Sequence, residues 1–370
     1  MNLLTQFVLG IALVFAIQAF KFGPSQAHLA VGRIGLKWIW RVGGLFASSK
    51  DKVWLTPGSD EVPSGRLAFS QNAMAGDHTV MLPKENLLHC LSTGTLDEKG
   101  VAALRASYPS AFTRMLNELV PESHERPCTE EGIPSGSIWI DTDLSIEDEH
   151  APVLLYLHGG AAIAGDGHTE KGFAYSLHKA TGLRMLSLNY PLAPEHPAPA
   201  AGASVATALK APILRNRRVI LVGTSGGGLP VLQSILDHGA KPQAAVLLSP
   251  MVSSTPLPSH KENTPRDFIA DYLIHCAARA SYPTPKHVSL LDKDWSAVRN
   301  IPLYFQVSAS EVLLDDSKYA AAKVEKVGGK VTLDIYPHGP HAMALLQDII
   351  PEAGPALLRI AEWVKEQVRA

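Results

Sequence analysis

A chain of 370 residues, 46% of them apolar, is long enough for one large α/β domain with extensions or for two ordinary domains. Its 33 basic side chains nearly balance 35 acidic ones, for a net charge of −2, so no overall field draws it to nucleic acid or to a strongly acidic partner. Cys90, Cys128 and Cys276 stand far apart, with no C-x-x-C pair and no histidine at metal-ligand spacing, which argues against a disulfide framework and a zinc site.

The first twenty residues differ from the rest. Asn2 to Phe20 carry no charge and are mostly Leu, Val, Ile, Ala and Phe, a length that spans or nearly spans a bilayer as a helix. Residues 1–20 are therefore read as a hydrophobic membrane anchor. A signal peptide, the rival, would have a charged start, a shorter apolar run and a small-residue cleavage site. Residues 21–50 follow with Lys21, Arg33, Lys37, Arg41, Lys50, Trp38 and Trp40, and the first acid after them is Asp51. This basic, aromatic mix suits an interfacial segment, and its charge places the remaining domain on the cytosolic face, the secretory pathway being the alternative.

From about residue 51 to 151 the pattern is mixed, with a helix expected around Val101 to Leu119 and a strand at Ser137 to Ile140. From Pro152 on it becomes regular. Apolar runs at Val153-Leu157, Arg184-Leu188, Val219-Val222, Ala245-Leu248, Leu303-Val307 and Val331-Tyr336 alternate with segments of helical length. Strands buried on both faces and separated by helices imply a mostly parallel, doubly wound sheet. Residues 255–300 interrupt the alternation with five prolines around a helical piece near Phe268 to Ala280. With part of 51–130 they are expected to cap the carboxyl ends of the strands, where open α/β sheets bind ligands, all within one domain over 51–370.

Four constellations carry chemistry. Val219-Val222 runs into Gly223-Thr224-Ser225-Gly226-Gly227, and a helix is expected over Leu229 to Asp237. A strand that ends in G-x-S-x-G before a helix exposes its serine on a strained turn, and side chains at Gly223 and Gly227 would collide in so tight a bend. His158-Gly159-Gly160-Ala161 follows its strand directly, so Gly159 and Gly160 can turn backbone N–H groups toward an oxyanion, with Gly226 as a third donor. A serine needs a base and the base an orienting acid. His338 and His341 offer the base; Glu311, Asp315 and Asp316 offer the acid, in the chain order Ser, acid, His.

Together with Asn189-Tyr190-Pro191-Leu192-Ala193-Pro194-Glu195-His196-Pro197, these motifs resemble the hormone-sensitive-lipase-like branch of the α/β-hydrolases from Pro152 to the C-terminus. The resemblance implies Ser225 as nucleophile, His341 rather than His338 as base, and Glu311 as acid with Asp315 the runner-up. It implies that His158, Glu195 and His196 support their loops and that no metal or organic cofactor takes part. Two departures stand out. Ala161 replaces a third loop glycine, and Thr224 stands where the family has an aspartate.

The expected activity is hydrolysis of short- to medium-chain carboxylesters, narrowed to deacetylation of a lipophilic alcohol. An arylformamidase-like amidase, a non-hydrolytic tailoring enzyme on the same fold and a non-catalytic ligand-binding relative stay open as alternatives.

Overall fold

The computed structural model describes residues 84–108, 120–143, 150–197, 199–281, 289–347, 350 and 352–369. The expected anchor at 1–20, the basic segment at 21–50 and the second half of the helix expected to end at Leu119 lie outside them. Among the described residues no helix is long and apolar enough to cross a membrane.

One eight-stranded sheet organises the chain. Its strands are β1 (Glu125–Pro127), β2 (Ile138–Ile140), β3 (Val153–Leu157), β4 (Arg184–Ser187), β5 (Val219–Thr224), β6 (Ala244–Leu248), β7 (Leu303–Ser308) and β8 (Val331–Tyr336), in the order β1-β2-β4-β3-β5-β6-β7-β8. β1 and β2 run antiparallel at one edge, and β3 through β8 are parallel. Leu155 pairs with Leu186 on one side and Leu221 on the other, so the apolar runs align at the centre.

The helices are α1 (Lys84–Thr93), α2 (Glu98–Tyr108), α3 (Lys171–Thr181), α4 (Pro199–Ala208), α5 (Gly228–Leu236), α6 (Pro258–Asn263), α7 (Asp271–Ser281), α8 (Leu314–Lys326) and α9 (Ala353–Arg369). Alternate strand residues feed two cores. Leu155, Leu221, Leu247 and Phe305 pack with α4, α5 and α8 on one face. Leu154, Ile220, Val246 and Tyr304 pack with α3 and α9 on the other. Burial on both faces is why β3, β5 and β6 read as unbroken apolar runs instead of alternating ones.

A third cluster joins α1, α2 and α7. Cys90, Leu104 and Tyr108 meet Cys276, Ala277 and Ile163 there, beyond the carboxyl ends of the strands. Arg105 ties α2 to the sheet by donating to the carbonyls of Ile163 (2.9 Å) and Ala193 (3.0 Å) and pairing with Glu195. Residues 84–108 and 258–281 thus contribute one wall over the strand ends, and the central strands the floor.

Candidate active site

Ser225 sits between β5 and α5 with φ 51°, a left-handed backbone that a serine rarely adopts and that marks the strained turn expected of a nucleophile elbow. Close packing explains the flanking glycines. A Cβ on Gly223 would stand 2.6 Å from the Gly227 carbonyl oxygen, as the tight bend predicts. Gly227 is restrained by another element: its Cβ would meet the Leu157 and His158 carbonyl oxygens at 2.2 and 2.5 Å, at the end of β3. Gly226 lies against the loop after β3, where a Cβ would stand 2.4 Å from the Ala161 nitrogen. The elbow and the H-G-G loop are therefore brought backbone to backbone.

His158 anchors that loop. Its ring stacks on Tyr190 with centroids 4.4 Å apart, its Nδ1 donates to the Gly159 carbonyl at 2.7 Å, and the Tyr190 hydroxyl donates to the His158 carbonyl at 2.7 Å. Burial pulls its pKa down to about 4, so the ring is neutral and supports the loop without carrying charge. Glu195 is exposed and pairs with Arg105; His196, also exposed, donates its backbone N–H to Leu192. Both hold the loop after β4 and stand apart from the cleft lining.

A buried carboxyl that the sequence pattern did not disclose lies beside the loop. Glu170 accepts the Tyr108 hydroxyl at 2.6 Å and the Tyr156 hydroxyl, and Tyr156 in turn meets Thr224 Oγ1 at 2.8 Å. The Gly159 backbone N–H also lies toward Glu170 and favours its charged form. Of the three N–H groups expected for an oxyanion, that of Gly159 is thus the one drawn toward a carboxyl. Burial raises the Glu170 pKa against the opposing pull of those donors. Burial and the neighbouring Glu170 charge hold both phenols well above their usual range, so they remain donors.

His341 and Glu311 meet at the ends of β8 and β7. His341 Nδ1 lies 2.8 Å from Glu311 Oε2, both residues are buried, and His341 Nε2 is buried with no hydrogen-bond partner. The other Glu311 oxygen accepts the Ser249 hydroxyl at 2.9 Å and the Ser308 N–H. Ser249 also accepts the Ala342 N–H at 3.2 Å, which locks the histidine loop to the end of β6. Burial would lower the His341 pKa, but the Glu311 hydrogen bond and charge, with the Asp267 and Glu170 charges behind them, outweigh it and hold the value above the ordinary one.

Asp315 faces elsewhere. Its carboxyl accepts the Ser259 N–H at 2.9 Å and pairs with Lys318, fixing α6 to the start of α8. Asp316 does similar work, bonding the Val252 and Ser253 N–H groups and, at 2.6 Å, His260 Nε2.

Ser225 and His341 line the same cleft, of about 940 Å³ with its open mouth, together with Gly160, Thr224 and Glu170. Leu96, Leu104, Phe268, Ile269, Leu273 and Leu346 make its remaining walls apolar. The Phe268 ring stands edge-on to His341 at 5.9 Å. Asp267, Glu311 and His341 each have a side-chain atom within 4.8 Å of the others, but Glu311 Oε2 is taken by His341, its Oε1 by Ser249 and the Ser308 N–H, and Asp267 Oδ2 by the Val312 N–H, which does not suit a metal ion.

Residues 154–345 match the model of a family described as alpha/beta hydrolase fold. An acetyl-hydrolase of Streptomyces hygroscopicus is 31% identical over 222 residues, 55% of this chain and 72% of that protein. An esterase of Acinetobacter venetianus is 28% identical over 225 residues, 57% and 74% of the two chains. Among solved structures, an esterase from the bacterial hormone-sensitive lipase family superposes with TM-score 0.63 and 26% identity, covering 78% of this chain and all of the other. With the family match spanning just over half of its length, the chain belongs to the α/β-hydrolase fold family, and within it resembles an esterase of the hormone-sensitive lipase family.

Proposed function

We propose that the protein is a serine carboxylesterase that hydrolyses short- to medium-chain esters, with acetate esters of lipophilic alcohols as the narrower class. The observation that carries this reading is the His341–Glu311 pair at 2.8 Å, its Nε2 free of other partners, in the same cleft as a serine held at φ 51°. In this mechanism Ser225 attacks the ester carbonyl as His341 Nε2 takes its proton, and Glu311 holds the ring through Nδ1 and stabilises the imidazolium. The N–H groups of Gly160 and Gly226 receive the oxyanion, with Ala161 beside them and that of Gly159 drawn toward Glu170. His341 then returns its proton to the departing alcohol, and water attacks the acyl-serine by the reverse route.

The apolar walls favour a lipophilic substrate, and the acetyl-hydrolase and esterase relatives favour an ester bond. The uncharged stretch at 1–20 would bring the enzyme to a membrane where such substrates partition. The test is turnover of p-nitrophenyl acetate, butyrate and octanoate beside a formamide, by wild type and Ser225→Ala. Ester cleavage that falls by about 10⁴-fold or more in the variant is expected. Turnover of the formamide alone would move the assignment to an amidase.

A further inference from the structure

Asp267 lies between α6 and α7 and is buried, 1% exposed. Its Oδ2 accepts the N–H of Val312, the residue after Glu311, at 2.9 Å, and its Oδ1 takes a longer bond, 3.4 Å, from the Ile269 N–H. No lysine or arginine pairs with it among the described residues. A buried carboxylate without a cation is costly, and such a group is normally neutralised or placed where a charge develops. Here the nearby group on which charge would develop is His341, since a carboxylate oxygen of Asp267, one of Glu311 and a ring nitrogen of His341 stand within 4.8 Å of one another. Phe268, the next residue, makes an edge-type ring contact with the same imidazole at 5.9 Å.

We infer that Asp267 is a second carboxylate acting on His341, a positioning residue that the wall segment after α6 supplies in addition to Glu311. This rests on the reading of His341 as the base. Three acids then face the imidazole: Glu311 at its Nδ1, Asp267 from the α6–α7 segment, and Glu170 from the side of the oxyanion loop. His341 and Glu311 are the ionisable groups that act on Asp267 in return. Burial, with Glu311 adding to it and His341 opposing, brings the Asp267 carboxyl up to about 6. It is therefore ionised above that pH, where esterases of this mechanism work, and its charge favours the imidazolium of the transition state.

A purely structural role would need only an acceptor for the Val312 N–H, and an asparagine side chain keeps that acceptor while losing the charge. Asp267→Asn is accordingly the decisive substitution. The His341 pKa, read by imidazole NMR on the full chain, should fall by about half a unit or more, because an anion near an imidazole favours its charged form. The acid limb of kcat/KM should move down in pH by the same amount. At pH 8 turnover should fall by about 3- to 10-fold in Asp267→Asn alone. In a Glu311→Gln background, where Asp267 is the remaining acid on the ring, the same change should cost about 30-fold or more.

An unmoved His341 pKa, or equal activity of Glu311→Gln with and without Asp267→Asn, would overturn the inference. The NMR titration does not depend on turnover, so it separates this failure from that of the esterase reading, which Ser225→Ala tests by itself. A melting curve on each variant shows that the fold is retained.

Discussion

Glu311 and Asp315 are both acids in the right stretch of chain, four residues apart, and only three-dimensional placement separates their roles. Glu311 has one oxygen on His341 and the other on Ser249 and the Ser308 N–H, so its orientation is fixed from both sides. Asp315 spends its carboxyl on Ser259 in α6. Glu311→Gln should therefore cost about 10²-fold or more in kcat, whereas Asp315→Asn should leave turnover within a few-fold and lower the melting temperature, since it weakens the tie to α6. Activity and thermal unfolding measured on both variants check this. The raised His341 pKa also sets a pH dependence. A base must be unprotonated to act, so kcat/KM should fall as pH drops through a value above the ordinary imidazole pKa of about 6.5, higher than an isolated histidine would give.

At the scale of elements, the elbow is held by close contact between β3, β5 and the start of α5. Gly227→Ala should be severely destabilising, by about 3 kcal/mol or more, because its methyl carbon would fall 2.2 Å from a carbonyl oxygen of the central strand and nothing flexible can move aside. Chemical denaturation gives the number; a loss below about 1 kcal/mol would show that the turn is looser than described. The elements themselves were largely legible from the chain. Six apolar runs became strands; β3 to β7 are covered on both faces, which calls for nearly uninterrupted apolar sequence, whereas β8, at the end of the sheet, is only partly covered and exposes Leu333 and Ile335. Ser137 to Ile140 likewise became β2, starting one residue later. The helix expected from Leu229 begins at Gly228 and ends at Leu236, with Pro230 in its first turn where no N–H is needed.

What escaped the sequence has a common physical cause. Glu170, Tyr108, Tyr156 and Asp267 line or support the site, yet none stands in a local pattern, since their partners lie on other elements of the fold. The H-G-G loop was recognisable as a unit, but which of its N–H groups is drawn toward a carboxyl depended on Glu170, which the fold brings back onto the loop. The substitution of Thr224 for an aspartate also takes on meaning here. Thr224 meets Tyr156, Tyr156 meets Glu170, and a carboxyl thus reaches the elbow through a phenol instead of from the elbow itself.

Across the whole molecule, the sheet supplies rigid strand ends and the α1, α2 and α7 cluster supplies an apolar wall, so the groups proposed to react and the apolar wall of the cleft belong to different layers. This division is why the residues proposed to react stand in motifs, while Leu96, Leu104, Phe268, Leu273 and their neighbours, which line the cleft, are of types that carry no signature of their own. The central claim is that Ser225 is a nucleophile activated by His341. It is tested most directly by treating the full chain with a fluorophosphonate and locating the adduct by mass spectrometry. Stoichiometric modification of Ser225, abolished in Ser225→Ala and strongly slowed in His341→Ala, is the predicted result; a well-folded wild-type protein that takes up no label, or takes it up at another residue, would contradict the account.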